Sequence, residues 1–250
     1  MSEAVETSAL DDVLVITLNR PEAKNAIDSA MSLGVLDALG TLDGDDTLRV
    51  GVLTGAGGTF CAGMDLKAFA MEGVPTRIDD VFRNGCRKPL VAAIEGVAVG
   101  GGLEMALIAD LLVASREARL GSTEVKFGLF PGGGALLRLP LHLPQSIVAE
   151  LAFTGRLMPA REAFDRGLVV RLSDPGAALD TALALAAAIA RNAPLGVGAV
   201  KQLLRRSPGR SEEELWGEQR ALVDAVFHSE DAAEGAQAFA EKRPPQWSGR

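Results

Sequence analysis

Two glutamates occupy sequence surroundings in which a carboxyl group is unusual. Glu104 follows a triple glycine within the apolar segment GGLEMALIAD, and Glu124 lies in LGSTEV, shortly before another glycine cluster. Burying a carboxylate is costly unless it is paired or has a chemical role. Two buried carboxyls can share one water molecule and act as general acid and general base. Each glutamate alone is also compatible with a surface charge or a structural ion pair.

Two glycine-rich segments could supply the groups that bind a substrate. Residues 60–66 read FCAGMDL and residues 96–104 read GVAVGGGLE, and each segment leads from a predicted strand toward a predicted helix. The first N–H groups of a helix are unpaired, and glycine lets a ligand approach them closely. Two such junctions side by side can direct two N–H groups at one oxygen, which is an oxyanion hole. The alternative is that the glycines only allow tight packing of helix against strand.

Other nucleotide and nucleophile signatures are incomplete in this sequence. Residues 54–58 (TGAGG) follow a strand as in a dinucleotide-binding motif, but the third glycine position is Phe60 and no acidic residue follows at the ribose distance. The sequence has no Walker A lysine, no GxSxG motif and no HExxH motif. These patterns argue against nicotinamide binding, P-loop chemistry and serine or zinc hydrolysis.

The composition indicates a globular chain without a nucleic-acid partner. The 250 residues are 48% hydrophobic and 23% charged, with a net charge of −8 and no tyrosine. An acidic chain poor in aromatic residues lacks both the basic surface and the stacking platforms that nucleic acids require. Two cysteines and two histidines are too few for a disulfide framework or a zinc site. The acidic N-terminus has no signal-peptide pattern, so we expect a cytoplasmic protein.

The elements that must position these residues follow an α/β pattern. Several strands are continuous apolar runs, which is typical of strands covered on both faces. From about residue 145 the pattern is mostly helical, and SEEE at 211–214 has the spacing of a capping box. We expect a body over residues 1–190 and a helical C-terminal region over residues 191–250. The predicted strands are 13–18, 48–53, 90–94 and 111–114. The predicted helices are 26–42, 103–109, 145–153, 160–166, 177–191, 195–206, 211–227 and 229–242.

Four motifs, taken together in their order and spacing, resemble the crotonase (enoyl-CoA hydratase/isomerase) superfamily. They are LNRP at 18–21 with the following Asn25, LTG at 53–55 with FCAGMDL, the segment 96–104, and FPGGG at 130–134. The resemblance extends from Ile16 to the C-terminus. It implies a spiral of ββα units with a helical C-terminal trimerisation region, and assembly as a homotrimer or as a hexamer made of two trimers.

The resemblance also implies the roles of the residues named above. The backbone N–H groups of Met64 and Gly101 would form the oxyanion hole around an acyl-CoA thioester oxygen. Glu104 would orient and deprotonate the water, and Glu124 would exchange the proton at the α-carbon. The separation of 20 residues between the two glutamates is that of family hydratases.

The resemblance places coenzyme A near three further residues. Backbone groups near Ala62 and Leu66 would hold the adenine end, and Lys242 of a neighbouring subunit would meet a CoA phosphate. Coenzyme A enters as part of the substrate, so we expect no separate cofactor and no metal.

The expected function is therefore that of an enoyl-CoA hydratase, which adds water across the 2,3-double bond of a 2-enoyl-CoA. The runner-up is a carnitinyl-CoA dehydratase, also called a crotonobetainyl-CoA hydratase, which residues 60–68, 228–235 and 238–243 resemble closely. That branch typically has an aromatic residue where Met64 stands, and a chain without tyrosine offers a poorer cage for a trimethylammonium group. Ala135 departs from the threonine of many hydratases. Isomerase and thioester hydrolase reactions remain open, as does a non-catalytic acyl-CoA-binding or RNA-binding role.

Overall fold

The computed structural model describes residues 4–250, which form nine strands and eleven α-helices. The strands are β1 (Val5–Leu10), β2 (Val13–Leu18), β3 (Val50–Gly55), β4 (Leu90–Ile94), β5 (Val97–Val99), β6 (Leu111–Ser115), β7 (Arg119–Gly121), β8 (Met158–Pro159) and β9 (Arg171–Ser173). The α-helices are α1 (Ser29–Gly44), α2 (Leu66–Glu72), α3 (Ile78–Asn84), α4 (Gly101–Ala106), α5 (Ala135–Arg138), α6 (Gln145–Thr154), α7 (Ala160–Asp165), α8 (Ala178–Ala190), α9 (Pro194–Arg206), α10 (Glu212–Phe227) and α11 (Glu230–Glu241). Short 3-10 helices span Pro21–Ala23, Glu124–Phe127 and Leu139–Leu141.

The strands form two sheets. Six of them make the main sheet in the order β1-β2-β3-β4-β6-β9, in which only the β1–β2 pair is antiparallel. The smaller sheet has the order β5-β7-β8. Single β-bridges join Ile27 to Met64 and Cys61 to Ala98, and Ala98 belongs to β5. These bridges extend the strand pairing of the smaller sheet toward the N-terminal half of the chain.

The chain therefore winds as a spiral of ββα units. Each unit places one strand in the main sheet, then one strand or bridge beside the smaller sheet, and then a helix. The unit that begins with β3 continues through Cys61 to α2, and the next unit runs from β4 through β5 to α4. This architecture confirms the predicted fold class.

Both faces of the main sheet are covered, as the continuous apolar strands predict. On one face, α8 packs small alanines against the valines of β2, β3, β4 and β6. On the other face lies the larger core, which includes the fully buried side chains of Phe60, Leu53 and Leu103. The segments that carry the site residues follow strands packed in this core, so the sheet fixes the starting point of each segment.

The C-terminal region begins at α9 and is anchored to the body by a buried lysine. Lys201 donates to the Asp110 carboxylate and to the Lys88 carbonyl, both at 2.7 Å. The tail after α11 folds back, and Trp247 donates to the Arg191 carbonyl at the end of α8. A cleft of about 1040 Å³ separates α9 and α10 from the start of β4, and neither Glu104 nor Glu124 lines it.

Sequence patterns locate the long elements to within about three residues. The helix expected over 26–42 begins at Ser29, where Asp28 caps it, and the Ser211 capping box is present with both of its hydrogen bonds. The strand β1 was not predicted, because five of its six residues are exposed and it lies at a sheet edge. Within residues 4–250 no single helix is long and apolar enough to span a membrane. Only α8 and α9 taken together, bent by 110°, pass that test.

Candidate active site

Met64 and Gly101 lie side by side because they hold equivalent places in consecutive units of the spiral. The bridge that pairs Cys61 with Ala98 lies three residues before each of them. The two glycines that precede them, Gly63 and Gly100, both have a positive φ, a conformation that side chains disfavour. A β-carbon on Gly101 would stand 3.6 Å from the Met64 nitrogen. The register of the small sheet thus brings two backbone N–H groups to one point.

Both of these N–H groups are available to a ligand. Ile27 donates to the Gly63 carbonyl and accepts from the Asp65 N–H, so the intervening Met64 N–H points away from this partner. Gly101 is the first residue of α4, where an N–H has no acceptor within its own helix. Across residues 4–250, neither N–H donates to another backbone group outside regular helices and strands. The pair can therefore bind one oxygen atom.

Glu104 lies on the first turn of α4, and its side chain is buried. Its Oε1 accepts a hydrogen bond of 3.1 Å from the Ala135 N–H, at the start of α5. Burial raises the pKa of Glu104 to about 7, and the charge of Glu124 acts in the same direction, while the Ala135 N–H opposes both. A carboxyl with this pKa can both accept and return a proton at neutral pH.

The Glu124 side chain lies beside Gly100, the residue that precedes α4. It follows β7, whose last carbonyl, that of Gly121, accepts from the Gly100 N–H at 2.9 Å. The Glu124 Oε1 atom lies 3.9 Å from the position that a β-carbon on Gly100 would take. That oxygen is buried and has no hydrogen-bond partner among residues 4–250. Glu124 therefore presents one free oxygen beside the two N–H groups.

The glycine cluster at 131–134 makes room for the Glu104 carboxylate. A β-carbon on Gly133 would lie 2.5 Å from Glu104 Oε2 and 2.4 Å from the ring of Phe82. Arg138 ties this cluster to α3, since its guanidinium donates to the carbonyls of Gly133 and Phe82. Only glycine at position 133 lets the ring and the carboxylate lie this close together.

The three residues expected near coenzyme A lie just before α2, at its first residue and at the end of α11. The Ala62 N–H donates to the Lys24 carbonyl, and Leu66 is partly exposed at the start of α2, two residues beyond Met64. Lys242 lies at the C-terminal end of α11, in a left-handed conformation, and is exposed. No hydrogen bond joins Lys242 to the glutamate pair within residues 4–250, so a role for it stays a prediction about a neighbouring subunit.

The cysteines do not offer a nucleophile. Burial raises the pKa of Cys61 to about 12 and that of Cys86 to about 11, so both thiols stay protonated at neutral pH. Among residues 4–250 no cluster of three or more His, Cys, Asp or Glu side chains is arranged to hold a metal ion.

The structure also reveals site residues that the sequence did not point to. The Ala135 N–H, the Gly133 backbone, the Phe82 ring and the Ser122 hydroxyl all contact or adjoin a glutamate. The substitution of Ala135 for a family threonine leaves this contact intact, because the backbone and not the side chain makes it. Gly133 lies in the FPGGG motif that the sequence already offered, and Ser122 carried a weaker signal, a hydroxyl two residues before a buried acid.

Two free N–H groups and two neighbouring buried carboxyls are an arrangement that could bind a carbonyl oxygen and move protons next to it. Comparison with known sequences agrees with such chemistry. A sequence model of the enoyl-CoA hydratase/isomerase family matches residues 9–250. The chain belongs to the enoyl-CoA hydratase/isomerase family, which is the crotonase family of enzymes.

Individual relatives cover essentially the whole chain. The enoyl-CoA hydratase EchA19 of Mycobacterium tuberculosis is 40% identical over 248 residues, which is 95% of this chain and 93% of the relative. A carnitinyl-CoA dehydratase of Proteus mirabilis is 42% identical and is covered, like this chain, over its full length. A crystal structure of an enoyl-CoA hydratase from Mycobacterium tuberculosis H37Rv superposes with a TM-score of 0.94 at 49% identity, with full coverage of both chains.

Proposed function

We propose that the protein is an enoyl-CoA hydratase, which adds water to C3 and a proton to C2 of a 2-enoyl-CoA. The observation that carries this proposal is the presence of two buried glutamates, Glu104 on the first turn of α4 and Glu124 beside Gly100, next to the N–H pair of Met64 and Gly101. For reactions that need only a polarised thioester, the N–H pair is sufficient. Addition of water also requires a base for the water and an acid for the α-carbon.

The N–H pair supplies the electrophilic activation. The thioester oxygen takes up negative charge as water attacks C3, and the enolate-like transition state carries that charge between the Met64 and Gly101 N–H groups. Removing one donor from such a site typically costs about 10²- to 10³-fold in rate. The α4 N-terminus adds a favourable partial positive charge at the same point.

The two carboxyls move the protons. Glu104 takes a proton from the water as its oxygen bonds to C3, and Glu124 delivers a proton to C2 through the free Oε1. The two steps together add one water, and transfer of the proton from Glu104 back to Glu124 resets the site. A Glu104 pKa of about 7 suits a group that must release its proton in every cycle.

The second candidate is the carnitinyl-CoA dehydratase reaction, which the 42% identity to a relative of that name favours. It uses the same N–H pair and the same glutamates but must also hold a trimethylammonium group. Mixing the protein with crotonyl-CoA and following the loss of absorbance of the conjugated enoyl thioester tests the first proposal. Crotonobetainyl-CoA in the same assay tests the second. A higher kcat/KM for crotonobetainyl-CoA would assign the dehydratase function. If the absorbance falls with neither substrate, both proposals are refuted.

We also propose that the protein assembles as a trimer or as a dimer of trimers. Large apolar side chains are exposed on α10 and α11, among them Trp216, Phe227 and Phe239, which is 86% exposed. Such surfaces are typical of protein contacts. A neighbouring subunit in such an assembly is also where Lys242 would reach a CoA phosphate.

A further inference from the structure

A buried serine hydroxyl holds one oxygen of Glu124. The Ser122 hydroxyl donates to Glu124 Oε2 at 2.8 Å. Ser122 itself is only 1% exposed, so this bond is shielded from bulk solvent. Its backbone is equally fixed, because it directly follows Gly121, whose carbonyl accepts from the Gly100 N–H.

The other oxygen of Glu124 is left free by this arrangement. Glu124 Oε1 is buried and unpartnered among residues 4–250, and it lies beside Gly100 at the N-terminus of α4. A carboxylate has two equivalent oxygens, and rotation about its last bond exchanges them. A hydrogen bond to one oxygen stops that rotation and determines which oxygen faces the pocket.

The geometry points to Ser122 as a positioning residue for Glu124. By holding Oε2, its hydroxyl makes Oε1 the atom that exchanges the proton at the α-carbon of a bound thioester. This inference rests on the proposed hydratase site, in which Glu124 acts at the α-carbon. In this proposal Ser122 acts through Glu124 and not on the substrate itself.

Ser122→Ala tests the assignment with two reactions. Hydration of crotonyl-CoA uses both glutamates, whereas exchange of the α-protons of saturated butyryl-CoA with deuterium oxide uses Glu124 and the N–H pair alone. In that exchange Glu124 removes an α-proton to give the enolate and returns a deuteron to the same carbon. We expect both rates to fall by roughly tenfold to hundredfold, the range for loss of one hydrogen bond to a charged group. The Kd for acetyl-CoA should stay near its wild-type value.

Two further variants separate positioning from folding. Ser122→Thr keeps the hydroxyl and should restore exchange toward the wild-type rate. Ser115→Ala removes a hydroxyl that is also 1% exposed but lies on β6 and accepts from the Glu117 N–H, so it should leave both rates unchanged. If the threonine variant does not fold, the comparison of exchange rate with acetyl-CoA affinity in Ser122→Ala decides the question alone.

The possible results separate the inference from the proposed function. Wild-type exchange and hydration rates in Ser122→Ala would overturn the positioning role. So would a loss of acetyl-CoA affinity as large as the loss of rate, because that result indicates a structural serine. A wild-type protein that exchanges α-protons but does not hydrate refutes the hydratase proposal while Ser122 can still be tested. A wild-type protein that does neither refutes both.

Discussion

Replacing Glu104 by glutamine should change how the free energy of unfolding depends on pH. Burial raises the pKa of this carboxyl to about 7 from its ordinary value of 4.5. The folded protein therefore holds a proton that the unfolded chain releases between pH 4.5 and 7. Below pH 4.5 both states are protonated and the group has no effect, and above pH 7 both are ionised and the folded state bears the full cost of a buried charge.

The size of this effect follows from the pKa difference. The raised pKa corresponds to about 3 kcal/mol of destabilisation of the folded state above pH 7. Glutamine keeps the shape of the side chain and an oxygen that can accept from the Ala135 N–H, but it cannot ionise. Glu104→Gln should therefore gain roughly 2–3 kcal/mol over wild type between pH 5 and pH 8.

Urea unfolding of both proteins at a series of pH values and at one protein concentration measures the difference. Glu117→Gln is the matched control, because it makes the same side-chain replacement at an exposed position. The reasoning is refuted if the wild-type and Glu104→Gln stability curves run parallel from pH 5 to pH 8. Parallel curves would mean that Glu104 has an ordinary pKa in the folded protein.

Three further predictions concern the pocket and the assembly. Gly133→Ala should abolish most hydration, because its β-carbon would lie 2.5 Å from Glu104 Oε2. Gly132→Ala is the control and should be tolerated, because the nearest atom to its β-carbon would lie 3.9 Å away. Equal steady-state rates of hydration for the two variants would contradict the placement of Glu104. Met64→Ala should keep substantial turnover of crotonyl-CoA and alter chain-length preference, because only the Met64 N–H is required; a loss as large as that from removing a glutamate would reveal a role for the side chain. Sedimentation should give a multiple of three subunits at micromolar concentration, and a monomer would contradict the proposed assembly.

The residues of the candidate site stand out in the sequence because their types are unusual at their positions. Glu104 and Glu124 are polar residues in apolar surroundings, and Gly63 and Gly100 precede helices at points where only glycine suits the backbone. The continuous apolar strands likewise predicted a sheet covered on both faces. These signals are local, so they can be found without knowing the fold.

The contacts between the turns of the spiral were not predictable in the same way. The Ala135 N–H bond to Glu104 joins residues 31 positions apart, and Phe82 lies near the carboxylate only because Arg138 ties α3 to the glycine cluster. Strand β1 escaped prediction because its exposed face gives no apolar pattern. Residue types do not indicate which backbone N–H groups will donate or where an exposed edge strand will form, so these features are seen only in the structure.

The central claim is that two carboxyls divide the proton transfers of one hydration reaction. Glu104→Gln and Glu124→Gln should each lower kcat for crotonyl-CoA by about 10²-fold or more, the usual contribution of a general acid or base. The Kd for acetyl-CoA should stay nearly unchanged, and the double variant should lose far less than the product of the two single losses, because groups that act together are not additive. Hydration at a near wild-type rate by either single variant would contradict the two-carboxylate mechanism.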